Sequence, residues 1–253
     1  MKSRQLMLPV FWLALAGPAL ASEPVLSLLY YEQPPLTHTD SNGKAAGQFI
    51  TPLHDILKSA GITPHFEPTP AQRIFAELKA NRRPFCAPGW YWSVERAEFA
   101  KFSAPYQLDE PLHFFASKEI ASQLKALGSL DALLKNPDYA LVQTQNFTAG
   151  PMLAARLQRQ NTPVNLQRVP DREALFSRLK SGHADYTLMR ESVWRYEKAR
   201  HPELADQFIL FDYAQTPDRI KLYLMCSRQL DDALLERLNR AIARHAPELQ
   251  PGR

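Results

Sequence analysis

Glycine and cysteine are scarce in this 253-residue chain, which has only 9 glycines and 2 cysteines. No two glycines stand as Gly-x-Gly, and none opens a Gly-x-x-x-x-Gly-Lys run. Both phosphate-cradling loop patterns are therefore missing, which argues against a nucleotide-binding fold. Metal-ligand spacing is missing too. The seven histidines, at 38, 54, 65, 113, 183, 201 and 245, never form His-x-His or His-Glu-x-x-His, and Cys-x-x-Cys does not occur. Gly-x-Ser-x-Gly is absent, and Ser-x-x-Lys (Ser41/Lys44, Ser122/Lys125, Ser177/Lys180) lacks its companion Lys-Thr-Gly, which argues against an acyl-serine enzyme. No cofactor or metal is expected. The formal net charge is only +4, and no block of five basic residues exists, so no nucleic-acid partner is expected. Long hydrophobic runs are also lacking. The one apolar stretch, Leu6 to Leu15, falls short of the roughly 20 residues that a spanning helix needs, so no stable membrane insertion is expected.

What is present is a globular composition, 45% hydrophobic and 22% charged, at a length that suits two domains of about 100–150 residues each. The first 21 residues read as a secretory signal peptide. Lys2 and Arg4 start it, Leu6 to Leu15 form its apolar middle, and Ala19-Leu20-Ala21 offers small residues for cleavage after Ala21. No cysteine follows the cut, so the mature protein is expected free in the periplasm. An oxidising compartment allows Cys86 and Cys226 to form one disulfide, and two buried free thiols are the alternative.

The mature chain alternates strand and helix signals. Val25 to Tyr31 is a continuous apolar run broken at Gln33-Pro34-Pro35. Phe49, Leu53, Ile56, Leu57 and Ala60 then recur at helical spacing, and Gly61 stops the helix. A strand near His65 to Glu67, a helix over Ala71 to Ala80 and a strand over Phe85 to Gly89 follow. Further strands are expected near Leu112 to Ala116, Tyr139 to Gln143, Val164 to Arg168, Asp185 to Met189, Phe208 to Phe211 and Ile220 to Ser227. The helices fit at Ala121 to Leu127, Leu130 to Leu134, Phe147 to Gln160, Arg172 to Lys180, Glu191 to Ala199 and Asp231 to Ala243. Such alternation predicts an α/β protein with mainly parallel sheets covered by helices.

One stretch is unusual: Gly89-Trp90-Tyr91-Trp92-Ser93-Val94-Glu95-Arg96, followed by Phe102-Ser103-Ala104-Pro105-Tyr106. Successive strand side chains face opposite ways, so three aromatics in a row cannot all enter one core, and at least one must meet solvent or a ligand. Ser93 is placed to cap a short helix carrying Arg96, an arrangement suited to holding a carboxylate.

The run from Gly89 to Tyr106 resembles the type II periplasmic solute-binding proteins of the polar amino acid class (family 3), whose pattern is Gly-x-Thr-x-Thr-x-x-Arg continuing to Phe-Ser-x-Pro-Tyr. Tyr30 to Leu36, Gly43 to Phe49, Ser181 to Asp185 and Leu222 to Leu238 match other family segments in order and spacing. The resemblance implies a Venus-flytrap fold of two Rossmann-like lobes joined by a two-strand hinge, with residues 22–109 and 218–253 in lobe 1 and 110–217 in lobe 2. It sets the two cysteine strands in one lobe, which supports the bridge. It implies that Arg96 holds a ligand carboxylate, with Gly89 offering a main-chain carbonyl and Ser93 beside it.

Two departures stand out. Tyr91 replaces a ligand-binding threonine, and Arg190 replaces the aspartate that takes an α-ammonium group. Either Arg190 meets a second anionic or acceptor group on the ligand, or Glu191 satisfies it at the surface. Tyr30, Tyr31, Trp90 and Trp92 are candidates for stacking on a ligand, with core packing as the alternative. Tyr31 and Gln33 belong to the first ligand loop, while Gln143, Thr144, Gln145 and Asn146 form a polar loop in the second lobe. The expected function is capture of a small polar, carboxylate-bearing solute for an inner-membrane ABC permease or a sensor. An exported dehydratase or lyase on the same scaffold is the alternative, and a cleft plugged by Trp90, Tyr91 and Trp92 is a third reading.

Overall fold

The computed structural model describes residues 23–145, 147, 165–214 and 219–250. The expected signal peptide, Asn146 and all but the first residue of the expected helix from Phe147 lie outside them, and Phe147 itself is not helical.

The first sheet orders its strands as β4 (Thr63–Pro68), β1 (Val25–Tyr30), β5 (Cys86–Trp90), β13 (Lys221–Cys226) and β6 (Lys101–Phe102), with β7 (Gln107–Leu108) also on β13. The apolar run of β1 follows from this position, because a strand paired on both sides and covered on both faces has little use for polar side chains. Helix α1 (Thr51–Ala60) buries Leu53, Ile56, Leu57 and Ala60 from one face, and Gly61 ends it at a φ of 58° with its N–H on the Leu57 and Lys58 carbonyls. Its other main companions are α2 (Ala71–Ala80), α3 (Val94–Ala97) and the C-terminal helix α9 (Asp232–His245). A small hairpin of β2 (His38–Thr39) and β3 (Ala45–Ala46) stands apart.

The second sheet runs β10 (Leu166–Val169), β9 (Leu141–Thr144), β11 (Tyr186–Arg190), β8 (Leu112–Ser117) and β12 (Phe208–Phe211). Helices α4 (Lys118–Ala126), α5 (Leu130–Lys135), α6 (Arg172–Lys180), α7 (Glu191–Arg200) and α8 (Leu204–Gln207) pack around it. The two-residue alternation of β8 sends Phe114 to a cluster with Tyr186, Phe211 and Tyr213, and Phe115 to the opposite face. There Phe115 stacks on Phe208 at 5.3 Å and meets Trp194 and Phe176 edge-on. Helix α4 begins three residues before the sequence suggests, because the Ser117 side chain accepts a hydrogen bond from the Ile120 N–H and so caps the earlier turn.

Parallel pairing, expected for most strands from the strand and helix alternation, is confined to β1 with β4 and β5 and to β9 with β10 and β11. Strands β8 and β13, where the chain passes between the two halves, pair antiparallel with their neighbours, so each sheet is mixed. Cys86 and Cys226 lie directly opposite each other on β5 and β13 and form a disulfide inside the first half.

Candidate ligand-binding cleft

Strand β5 is irregular where it reaches the cleft. Tyr223 pairs with Trp90 but Met225 pairs with Ala87, so β5 carries an extra residue between those pairs. Pro88 has no N–H to give the ladder, and Gly89 adopts a φ of 79° that an L side chain rarely tolerates. A Cβ at Gly89 would also stand 2.6 Å from the Phe49 ring, so the close approach of Phe49 requires glycine here. Past this bulge Trp90 and Tyr91 are both buried, and Trp92, 48% exposed, is the aromatic that meets solvent.

Trp90 packs edge-on against Phe75 and tilted against Tyr31. The Arg96 guanidinium lies over the Trp90 and Phe75 rings and donates through Nη1 to the Tyr91 carbonyl at 2.8 Å. Its backbone is set by Ser93, whose Oγ accepts from the Arg96 N–H at 3.2 Å as the α3 cap. Burial lowers the Arg96 pKa from its usual value, against the pull of Glu95.

Arg190, at the end of β11, comes from the other half and is buried. Its partner is Asp109, so the expectation that Glu191 satisfies it at the surface needs correction. Arg190 Nε donates to Asp109 Oδ1 at 2.7 Å and Nη2 to Oδ2 at 2.5 Å, a two-point ion pair. Glu191, the surface partner considered from the sequence, instead stands 3.9 Å from Arg195. Arg190 Nη2 also donates to the Tyr91 hydroxyl at 2.7 Å, and that hydroxyl donates in turn to Asp109 Oδ2. Burial alone would lower the Arg190 pKa, but Asp109 outweighs it and holds the value above the ordinary one. Burial likewise raises the Tyr91 phenol, which keeps its proton for Asp109. Asp109 is fixed at the crossing between the halves, where its N–H reaches the Ile220 carbonyl at 2.7 Å and its carbonyl accepts from Arg219 Nε at 3.0 Å.

Tyr31, Gln33, Phe49, Gly89, Trp90, Tyr91 and Arg96 of the first half, with Phe147 and Arg190 of the second, enclose a cavity of about 30 Å³. Tyr31 donates its hydroxyl proton to Gln33 Oε1. Other expected positions do not line it. Ser93 is occupied as a cap, while Gln143 is buried with its Nε2 unpartnered. Thr144 offers its carbonyl to Arg168 Nη1 at 3.1 Å. Tyr30 hydrogen-bonds Thr39 Oγ1 at 2.7 Å, away from the cavity. Gln145 accepts from Gln72 Nε2 at 3.2 Å, which ties the halves together, as does Arg172 Nη1 on the Pro34 carbonyl at 2.7 Å. Asp185 accepts from the Ala140 N–H at 2.6 Å and serves the fold.

Sequence reasoning missed Phe147, Asp109 and the wall role of Phe49. Phe49 closes the Gly43 to Phe49 segment, which was a visible signal. The only mark of Asp109 was the reversed charge at 190, which required an acid without saying where in the chain it lay. Among the described residues no cluster of three His, Cys, Asp or Glu side chains could hold a metal ion, and no helix is long and apolar enough to cross a membrane.

Residues 28–248 match the family model of the bacterial extracellular solute-binding proteins, family 3. The chain belongs to that family. No curated protein matches it in sequence. Among solved structures, this family 3 protein is similar to an amino acid ABC transporter substrate-binding protein from Streptococcus pneumoniae bound to L-arginine (18% identity, 90% of this chain and 93% of that one, TM-score 0.63). It is also similar to a histidine kinase sensor domain that itself resembles periplasmic binding proteins (20% identity, 90% and 94%, TM-score 0.65). A third is an ancestral amino acid-binding protein, a precursor of cyclohexadienyl dehydratase (18% identity, 88% and 90%, TM-score 0.64). At these identities the likenesses establish the periplasmic binding protein type II fold of the family 3 chain.

Proposed function

We propose that this protein is exported to the periplasm, captures a small carboxylate-bearing solute between two hinged lobes without converting it, and presents it to an inner-membrane ABC permease or a sensor. The observation that carries this reading is the placement of Arg96, half-buried on the wall of a cavity that the two halves close together. A guanidinium over aromatic rings, in surroundings poor in water, suits a carboxylate held at two points. In this reading the lobes are residues 22–109 with 218–253 and residues 110–217, and they bend at the crossings beside Asp109 and Ile220. A cavity of about 30 Å³ holds little more than one water molecule, so admission of a metabolite requires the lobes to part and then close on it. A ligand of micromolar affinity supplies about 8 kcal/mol, ample for biasing such an equilibrium.

The dehydratase or lyase alternative needs a cleft base. Asp109, the carboxylate that reaches this region, is engaged by Arg190 and Tyr91, which favours capture over turnover. The test is a thermal-shift panel of amino acids and of small mono- and dicarboxylates, with mass spectrometry of each stabilising compound before and after incubation. Capture predicts stabilisation by at least one carboxylate, recovered unchanged, with affinity falling about 100-fold in Arg96→Ala and little change in the melting temperature of the unliganded variant, a loss of about 2–3 kcal/mol typical of a charge-assisted contact. Absence of any stabilisation, or equal affinity in Arg96→Ala, overturns it.

A further inference from the structure

The charges around the cavity restrict the class of solute further, given the capture reading above. An amino acid brings an ammonium group as well as a carboxylate, and a desolvated ammonium needs an anion or several acceptors beside it. Among the described residues, none of the side chains that line the cavity is acidic. The carboxylate nearest to serving is Asp109, which is 1% exposed and whose oxygens are filled. Oδ1 accepts from the Glu110 N–H at 2.8 Å and from Arg190 Nε, while Oδ2 accepts from the Tyr91 hydroxyl and from Arg190 Nη2. A carboxylate offers about four lone-pair positions, so Asp109 has none left for a ligand. Of the internal residues outside the described ones, 146 and 148–164 contain no Asp or Glu in their sequence, and 215–218 contain one acid, Asp218.

The cavity wall instead presents donors and rings. Trp90 lines the cavity, and its indole N–H is buried without a hydrogen-bond partner, a costly condition that an acceptor reaching it once the lobes part would relieve. Tyr31, Phe49, Trp90, Tyr91 and Phe147 give the remaining wall an aromatic character.

We infer that the solute is a carboxylate without an ammonium group, a 2-oxo acid or similar acid with an apolar or flat remainder, and that the Arg190–Asp109–Tyr91 cluster is the specificity element that excludes zwitterions. The cluster acts by consuming Asp109, the carboxylate that the described residues bring to this region, and by leaving a guanidinium edge on the cavity wall. Such exclusion is a repulsive form of selectivity, built against the wrong ligand as well as toward the right one.

Isothermal titration with matched pairs tests this: phenylpyruvate against L-phenylalanine, and 4-methyl-2-oxopentanoate against L-leucine, each pair sharing its side chain and carboxylate. The oxo acid of at least one pair is expected to bind ten-fold or more tightly than its amino acid. In Arg190→Gln, where Asp109 becomes available to an ammonium, that ratio is expected to fall at least several-fold. The ratio of two affinities does not depend on the fraction of protein folded, so it remains readable if the variant is less stable. Tighter binding of the amino acids by the unaltered protein overturns the inference and leaves solute capture standing. No binding of any of the four at millimolar concentration also overturns it, while capture itself fails only if the wider panel leaves the protein unstabilised. A ratio unchanged in Arg190→Gln removes the cluster from its role in specificity.

Discussion

Arg96 and Arg190 face one cavity from opposite halves of the molecule, and their surroundings differ in kind. Arg96 rests on the Trp90 and Phe75 rings and a main-chain carbonyl, and burial pulls its pKa down. Arg190 is held at two points by a buried carboxylate, and its pKa goes up despite burial. The opposite signs follow from what each guanidinium is packed against: rings and a main-chain carbonyl for Arg96, a two-point carboxylate for Arg190. The halves that carry them differ as well. The first is cross-linked between adjacent strands by Cys86 and Cys226, whereas the second is held by stacked and edge-on aromatics about Phe114 and Phe115.

Removing the cross-link should disturb that contrast most. The bridge joins residues 140 apart in sequence, and a loop of that order restrains the unfolded chain by about 4–5 kcal/mol. Cys86→Ala with Cys226→Ala is expected to lower stability by that amount in urea denaturation and to let the first half open before the second. A single transition of unchanged midpoint would show that the bridge contributes nothing.

The next effect falls where the halves meet. Asp109→Ala leaves the Arg190 charge buried and unanswered, which is expected to cost about 3–5 kcal/mol by denaturant titration. Replacing the pair together, Asp109→Leu with Arg190→Met, should recover most of that loss, since apolar neighbours of similar volume need no compensation. If the double variant is as unstable as the single one, the cluster's worth lies in its hydrogen bonds rather than in its charge balance.

Ser93→Ala is the smallest of the three. It deletes the cap on the Arg96 N–H and should reduce stability by about 1 kcal/mol, with a modest loss of carboxylate affinity as the α3 turn loosens. An effect on affinity as large as that of Arg96→Ala would mean that Ser93 contacts the solute itself.

The sequence carried the fold more fully than it carried the cleft. The helices over Ala71–Ala80 and Arg172–Lys180 and the strand over Phe208–Phe211 were legible because local periodicity and capping decide them. The onset of α4 at Lys118 was missed because the expectation followed the apolar residues and not the Ser117 cap. The aromatic run announced the cleft, but its outcome, with Trp90 and Tyr91 inside and Trp92 outside, depended on the Pro88 and Gly89 bulge, and strict alternation does not include such an insertion. The Arg190 partnership joins positions 81 apart across the boundary between the halves. A long-range pair of this sort leaves no spacing for a single sequence to display; only the improbable charge at 190 hinted at it.

The extra residue in β5 has one more consequence. It acts as a frame shift in the side-chain alternation, so the wall of the cleft is set by the count of residues between Cys86 and Ser93 as much as by their identities. A chain shortened by one residue there would keep both cysteines, yet the phenol that hydrogen-bonds Asp109 and Arg190 would be carried to the opposite face of the strand, and the two-point ion pair would stand without its third member.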